Sequence, residues 1–175
     1  MDQGKGAVIS YNIIIVYFIR MQKYKVGFLV GRFQPFHKGH LYLVKQALKH
    51  VNLLIIVVGS ANISDEKNPF NFEERKKFIK ASLIKYKLLN KIQKIVSVDD
   101  YPDNDDIWVE ELKKKTGHFN VVFGNNEWVN GILEAREVKV IRFPFYKRHI
   151  YEGKKIREEM KNSKNPLTVL KKHQQ

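Results

Sequence analysis

Two histidines lie three positions apart in the stretch "GRFQPFHKGH" (31–40), between an apolar run and a segment with helical spacing. If a helix begins near Lys38, His37 and His40 lie on one face of it. Each imidazole can donate a hydrogen bond to a phosphate oxygen, and the free N–H groups of a helix N-terminus also attract anions. Gly39 leaves room for a close approach. The stretch therefore predicts a phosphate site, with two surface histidines at a helix start as the alternative.

The elements that would position this stretch alternate along the chain. Apolar, β-branched runs predict strands, and apolar residues at helical spacing predict helices. The expected strands are 25–31, 53–60, 92–98, 120–125 and 138–143, and the expected helices are 40–51, 71–86, 106–115, 126–136, 153–162 and a tail at 166–175. This alternation predicts an α/β fold, a Rossmann-like, doubly wound, mostly parallel five-stranded sheet with helices on both faces.

Polar segments follow four of the expected strands. They read "GRFQPFHKGH", "GSANISDEKNPF", "DDYPDNDD" and "GNNEW". In a parallel sheet, ligands bind outside the carboxyl ends of the strands, where the strand order reverses. The four segments are therefore expected to converge on one site.

The composition restricts the class of protein. The chain has 175 residues, of which 43% are hydrophobic, and this suits one domain with its own core. Lys and Arg number 32 against 18 acids, giving a net charge of +14. This excess favours anionic partners, with a solvated basic surface as the alternative. The chain has no cysteine, which excludes disulfides and thiol chemistry and fits a reducing, cytoplasmic compartment.

The N-terminal segment contains an apolar run at 7–19 that is too short for a typical membrane helix and lacks a signal-peptide cleavage site. Met21 opens a segment that leads into the first strand. We expect residues 1–20 to be a dispensable extension or a misassigned start, with an extra edge strand as the alternative, and residues 21–175 to form a single domain. N-terminal sequencing of the native protein tests this expectation.

The stretch "GRFQPFHKGH" resembles the signature of the HxGH nucleotidyltransferases, and specifically that of the archaeal nicotinamide-nucleotide adenylyltransferases. The segments "GSANISDEKNPFNFEER", "DDYPDNDDIWV", "VVFGNN" and "YEGKKIREEM" resemble later motifs of that family in the same order. Together the resemblance covers residues 24–160. It implies the nucleotidyltransferase fold and adenylyl transfer from ATP to nicotinamide mononucleotide (NMN), which gives NAD and pyrophosphate.

On the ATP side, the resemblance implies that His37 and His40 hold the phosphates and stabilise the transition state. Arg157, in the C-terminal motif, is expected to act on the phosphates as a third catalytic residue. The expected ATP contacts are Gly31, Arg32, Phe33, Gln34, Gly39, Lys67, Gly124, Asn125 and Asn126. Mg²⁺ is expected to arrive with ATP and to bridge phosphate oxygens, without a dedicated set of protein ligands.

On the NMN side, the resemblance implies that Asp100 contacts the nucleotide and that Trp108 stacks on the nicotinamide ring. An indole face suits a pyridinium cation through stacking and cation–π attraction. From the residues alone, a place in the core is an equal alternative for Trp108. Asn104 is the expected amide partner, with Asp105 as the alternative because this loop is one residue longer than is usual in the family.

Two positions depart from the family pattern. Glu152-Gly153-Lys154 stands where Ser-Gly-Thr is usual, so two hydroxyl donors are missing, although Lys154 brings a charge. Lys67 stands where an arginine is usual, which keeps the charge but not the paired hydrogen bonds. These differences bear on triphosphate binding more than on the class of reaction.

Two other functions remain open from the sequence. One is another HxGH nucleotidyltransferase that acts on a different phosphorylated acceptor, against which Trp108 and Asp100 argue. The other is a basic nucleic-acid-binding module on the same fold, which rests on the charge alone. The resemblance implies a homo-oligomer, with the hexamer frequent in the family. We expect no membrane partner and no nucleic acid partner.

Overall fold

A parallel five-stranded sheet lies at the centre of the structure, a computed structural model that describes residues 23–174. The strands are β1 (Tyr24–Gly31), β2 (Val51–Val58), β3 (Ile92–Ser97), β4 (Val121–Phe123) and β5 (Val140–Ile141). Their order across the sheet is β3-β2-β1-β4-β5, and every neighbouring pair is parallel. The predicted α/β class and the five-stranded sheet are confirmed. The expectation for residues 1–20 lies outside the described residues.

Six α-helices connect or follow the strands within residues 23–174. They are α1 (Lys38–His50), α2 (Phe72–Lys85), α3 (Asp105–Thr116), α4 (Glu127–Glu134), α5 (Gly153–Lys161) and α6 (Pro166–Gln174), and a 3₁₀ turn at Leu89–Lys91 precedes β3. The capping box predicted for α2 is present, since the Glu74 N–H donates to Asn71 Oδ1 at 3.0 Å and the Asn71 N–H donates to Glu74 Oε2 at 2.8 Å. None of the helices in this range is long and apolar enough to cross a membrane.

The last strand is shorter than the sequence predicts. β5 covers Val140–Ile141 rather than 138–143. Beyond Ile141 the backbone no longer pairs with β4, because the Asn125 side chain takes over its hydrogen bonds. The Phe143 N–H donates to Asn125 Oδ1 at 3.1 Å, and Asn125 Nδ2 donates back to the Phe143 carbonyl.

Alternate residues of the central strands fill two cores, one on each face of the sheet. In β2, Leu54, Ile56 and Val58 pack with residues of α1 and α2, while Ile55 and Val57 pack with residues of α3 and α4. The chain thus covers one face on its way from β1 to β3, and the other face from the end of β3 onwards, with α3 before β4 and α4 after it. The strand order therefore reverses between β1 and β4, where the loops that follow these two strands meet.

Candidate active site

The two histidines build the N-terminal cap of α1 at the carboxyl end of β1. His37 is the N-cap, and its Nδ1 accepts a hydrogen bond from the Gly39 N–H at 3.1 Å. His40 completes a capping box, since its Nδ1 accepts from the His37 N–H at 3.4 Å. Because each Nδ1 is an acceptor, the neutral rings carry their proton on Nε2. Each ring therefore keeps one N–H donor for a ligand.

The two imidazoles are stacked and enclosed. Their centroids are 3.8 Å apart, with 23° between the ring planes. His37 is 5% exposed, and the more open His40 lies against the rings of Phe33 and Phe36 at centroid distances of 4.9 and 5.5 Å. A side chain at Gly39 would crowd the His37 ring, because its Cβ would lie 3.0 Å from that ring.

Both histidines are neutral at pH 7 in the ligand-free protein. The pKa of His37 is lowered from 6.5 to about 4. Burial is the main cause, and the charge of His173 is the second. Burial, followed by the charge of His37, holds the pKa of His40 well below its ordinary value. The site therefore presents one neutral N–H donor on each ring, at Nε2, for a phosphate oxygen.

A cavity of about 480 Å³ opens in front of the two imidazoles. This volume suits a nucleotide. Its walls come from the β1–α1 loop, from the residues after β4 and from the segment between β5 and α5. The predicted ATP contacts that line it are Gly31, Arg32, Phe33, His37, Gly39, His40, Asn125 and Asn126.

A second cavity of about 390 Å³ lies on the other side of the β1 carboxyl end. The residues after β2 and β3 line it, and the structure brings Asp100 and Trp108 together there. The cavities share Gly31, Arg32 and Asn126 among their walls. Ligands in the two cavities would therefore meet at the end of β1.

Trp108 supplies less surface to the second cavity than the sequence suggests. It is 3% exposed and belongs to the core beneath α3, although it still lines the cavity. Trp128, on α4, is 57% exposed and lines the same cavity, with its ring centroid 5.9 Å from that of Trp108. From the sequence, Trp128 is predicted only as part of the helix at 126–136. The sequence signal for its place at the cavity was its position directly after the glycine-asparagine segment "VVFGNN".

The structure does not bring Asn104 or Asp105 to the second cavity. Asn104 is the N-cap of α3, and its Oδ1 accepts from the Ile107 N–H at 3.0 Å. Asp105 is the first residue of that helix, and Asp103 lines the cavity instead. Asn104 is turned to the helix because α3 begins at Asp105, one residue earlier than predicted. The Asn104 side-chain oxygen therefore caps α3.

Gln34 and Arg157 are engaged inside the protein. Gln34 is buried and holds the Phe70 backbone, donating from Nε2 to the carbonyl at 2.8 Å and accepting the N–H at 3.1 Å. Arg157 Nη1 donates to the Gln34 carbonyl at 2.7 Å. Burial, and then the neighbouring Arg32, lower the pKa of the Arg157 guanidinium. Neither Gln34 nor Arg157 lines either of these two cavities, so their predicted phosphate contacts stay predictions.

Two other expected ATP contacts also lie away from the cavities. Lys67 is exposed in the β2–α2 loop, where its N–H donates to Asp65 Oδ1 at 2.8 Å. Gly124 is buried behind the cavity wall, and its carbonyl accepts from Asn130 Nδ2 at 3.3 Å.

A buried arginine that sequence reasoning missed holds the ends of β1 and β2 together. Arg75 is 0% exposed, and its Nη1 donates to the carbonyls of Arg32 at 3.0 Å and Gly59 at 2.8 Å. Its Nη2 donates to the Ser60 carbonyl at 3.3 Å. The signal was a charge on the apolar face of a predicted helix, in the segment "NFEER". Other cavity residues without a predicted role include Tyr42, Ser60, Tyr101, Asp103, Arg148 and Tyr151.

A protein built in this way is a nucleotide-binding α/β protein, because its nucleotide-sized cavities meet at the strand-order reversal, beside a helix N-terminus. The cytidylyltransferase-like family model matches residues 28–162, and the chain belongs to that family.

Curated relatives narrow the family further. A Thermoplasma acidophilum protein named nicotinamide-nucleotide adenylyltransferase is 39% identical over 140 residues, which are 79% of this chain and 76% of the relative. A Methanosarcina barkeri protein of the same name is 35% identical over 138 residues, covering 77% of this chain and 76% of the relative. The resemblance predicted from the sequence is confirmed.

Among solved structures, the fold is similar to a bifunctional NMN adenylyltransferase/ADP ribose pyrophosphatase from Francisella tularensis, complexed with AMP and a Mn ion. The TM-score is 0.71 at 28% sequence identity, with 85% of this chain covered. The match covers 48% of that chain, so the present chain spans about half the length of the bifunctional protein.

Proposed function

We propose that this protein transfers the adenylyl group of ATP to NMN, giving NAD and pyrophosphate. The observation that carries the proposal is the junction of the two cavities at Gly31 and Arg32, with the paired imidazoles on one side and Trp108 on the other. Relatives named nicotinamide-nucleotide adenylyltransferase support the proposal, at up to 39% identity over most of both chains.

The reaction places one substrate in each cavity. ATP lies with its phosphates at His37 and His40, and NMN lies against Trp108 and Trp128. An oxygen of the NMN phosphate attacks the α-phosphorus of ATP. The new bond is P–O–P within NAD, and the bond from the α-phosphorus to the bridging oxygen breaks, so pyrophosphate leaves with the electron pair.

The protein contributes position and charge rather than covalent chemistry. The Nε2–H groups of His37 and His40 donate to phosphate oxygens, where negative charge develops in the transition state. Arg32 lies at the junction of the cavities and attracts both phosphate-bearing substrates. Mg²⁺ arrives as part of the ATP complex, and the Mn ion in the bifunctional relative supports a divalent cation.

A forward assay tests the proposal. Protein is incubated with NMN, ATP and Mg²⁺, and NAD is measured, in parallel with reactions that contain CTP or other phosphorylated acceptors such as pantetheine phosphate and flavin mononucleotide. NAD formation from NMN and ATP, at a kcat/KM well above that of the other pairs, is expected. Preferred turnover of another pair contradicts the proposal and favours a different nucleotidyltransferase.

Several narrower expectations remain proposals. They are the assignment of single residues to ATP or NMN, the homo-oligomer, the single domain at 21–175 and the cytoplasmic location. The nucleic-acid-binding alternative rests on the charge of +14 alone.

A further inference from the structure

The C-terminal helix α6 packs against α5 and buries a histidine that lines neither cavity. His173 is 5% exposed, and its Nε2 lies 2.7 Å from Glu159 Oε2 on α5. The other oxygen of this carboxylate accepts from Lys172 Nζ at 2.7 Å. The ring of His173 is thus fixed by a hydrogen bond on one side.

On its other side, His173 contacts an aromatic wall of the larger cavity. Its ring meets that of Tyr151 edge-on, with centroids 6.2 Å apart and 88° between the planes. Tyr151 lines the cavity and lies nearly parallel to His37, at a centroid distance of 6.4 Å and 20° between the planes. The Tyr151 Cβ also covers Gly39, since a Cβ there would lie 3.3 Å from it.

We propose that His173 is a positioning residue of the active site, which holds the Tyr151 ring against His37 and so fixes one wall of the cavity. Three contacts form a chain from α5 to the active site. Glu159 holds His173, His173 packs against Tyr151, and Tyr151 faces the imidazole of His37. This inference rests on the proposed function for the identity of the ligand, ATP, but not for the contacts themselves.

Electrostatics agree with this geometry. The charge of His173 is the second cause, after burial, of the low pKa of His37. The charged groups beside His173 are Glu159 and Lys172, and Lys38 Nζ lies over the Tyr151 ring, 5.9 Å from its centroid. Loss of His173 therefore removes the ring packed against Tyr151 and, when that ring is protonated, the charge that lowers the pKa of His37.

A different role for His173 predicts different results. If the histidine merely stabilises the α5–α6 pair, its loss lowers the thermal stability and affects both substrates alike. If it acts through Tyr151, its loss affects ATP more than NMN and has no further effect once Tyr151 has been removed. A double-mutant cycle separates these cases.

The cycle compares His173→Ala, Tyr151→Ala and the double variant, with Lys172→Ala as the matched control that removes the other partner of Glu159. His173→Ala is expected to raise the KM for ATP about five- to tenfold, a typical cost of one coupled contact, and to leave the KM for NMN within about twofold. The double variant is expected to match Tyr151→Ala within about twofold, and Lys172→Ala to match the wild type.

Three outcomes overturn the inference: a KM for ATP within twofold of the wild type in His173→Ala, an equal rise in the KM for NMN, or effects that multiply in the double variant. If His173→Ala does not fold, His173→Phe carries the test, because it keeps the ring volume but loses the bond to Glu159. A raised KM for ATP is again expected, and an unchanged one overturns the inference.

A measurement without substrate separates this inference from the proposed function. In the ligand-free protein, the Hε1 resonance of His37 is followed by NMR. His173→Phe and Tyr151→Ala are expected to move it more than Lys172→Ala does, and equal shifts in all three variants overturn the inference. If the wild type makes no NAD, the proposed function fails while this comparison still decides the role of His173.

Discussion

Substitutions at His40 separate its two roles in the site. The imidazole accepts from the His37 N–H within the capping box of α1, and it lines the larger cavity. His40→Ala removes both roles. Loss of this capping-box hydrogen bond costs about 0.5–1.5 kcal/mol of stability. This corresponds to a fall in Tm of about 1–6 °C for a chain of this size. Loss of one donor to the transition state lowers kcat by about 10²–10³-fold.

Glutamine and glutamate at the same position keep the cap, because either side chain can accept from the N-cap N–H. His40→Gln also keeps an N–H donor, so we expect a Tm near that of the wild type and partial recovery of kcat. His40→Glu is expected to keep the Tm but to lose turnover at least as severely as His40→Ala, because it sets a carboxylate against the phosphates.

The assay combines thermal unfolding with initial rates of NAD formation at saturating ATP and NMN. The reasoning is refuted if kcat of His40→Ala stays within tenfold of the wild type, or if His40→Glu turns over as fast as His40→Gln. Either result would assign His40 to helix capping alone.

Three further predictions concern stability, the NMN cavity and the C-terminal motif. The pKa of His37 is 6.5 in the unfolded chain and about 4 in the fold, so the unfolded state binds the proton more tightly. The free energy of unfolding therefore decreases by about 3 kcal/mol as the pH falls from 6.5 to 4. His37→Asn keeps an N-cap and is expected to flatten this decrease in denaturant unfolding, whereas an unchanged pH profile contradicts the assignment. Trp128→Ala is expected to raise the KM for NMN about 5- to 150-fold, as for the loss of one stacking partner, with little change in the KM for ATP or in Tm. Trp108→Ala is expected to lower the Tm as well, because the indole is buried, and a Tm unchanged from the wild type speaks against its place in the core. Arg157→Lys is expected to reduce kcat/KM for ATP more than about tenfold, since lysine lacks the paired donors of the guanidinium. A value within twofold of the wild type would show that ATP does not use these paired donors.

The parts of the site that depend on local spacing could be predicted from the sequence. His37 and His40 are three positions apart at a helix start, so their common face follows from helix geometry alone. Asp100 and Trp108 lie in one loop–helix segment after β3, and their arrival at one cavity follows from the parallel sheet.

The parts that depend on which atoms the fold itself uses could not be predicted. Gln34 looks free to bind a ligand, yet its amide holds the Phe70 backbone across 36 residues of chain. Asn104 is the expected amide partner of NMN, yet its side-chain oxygen caps α3. In both cases a polar side chain near a binding site satisfies buried or helical backbone groups first, and a sequence does not show that demand.

Burial explains the remaining differences. The sequence does not tell which of two tryptophans lies in the core, because both have helical neighbours of mixed polarity, and the structure buries Trp108 rather than Trp128. Arg75 was overlooked because a charged side chain on a helix is usually solvated. It is buried here because three strand-end carbonyls need donors.

The central claim is that an adenylyl group passes between the two cavities at the end of β1, and isotope position tests it most directly. Wild-type protein is incubated with NMN, Mg²⁺ and ATP labelled with ³²P at either the α- or the γ-phosphorus, and the products are separated. Attack at the α-phosphorus predicts that α-label appears in NAD and γ-label in pyrophosphate. Label from the γ-position in a nucleotide product, or no α-label in NAD, would contradict the account.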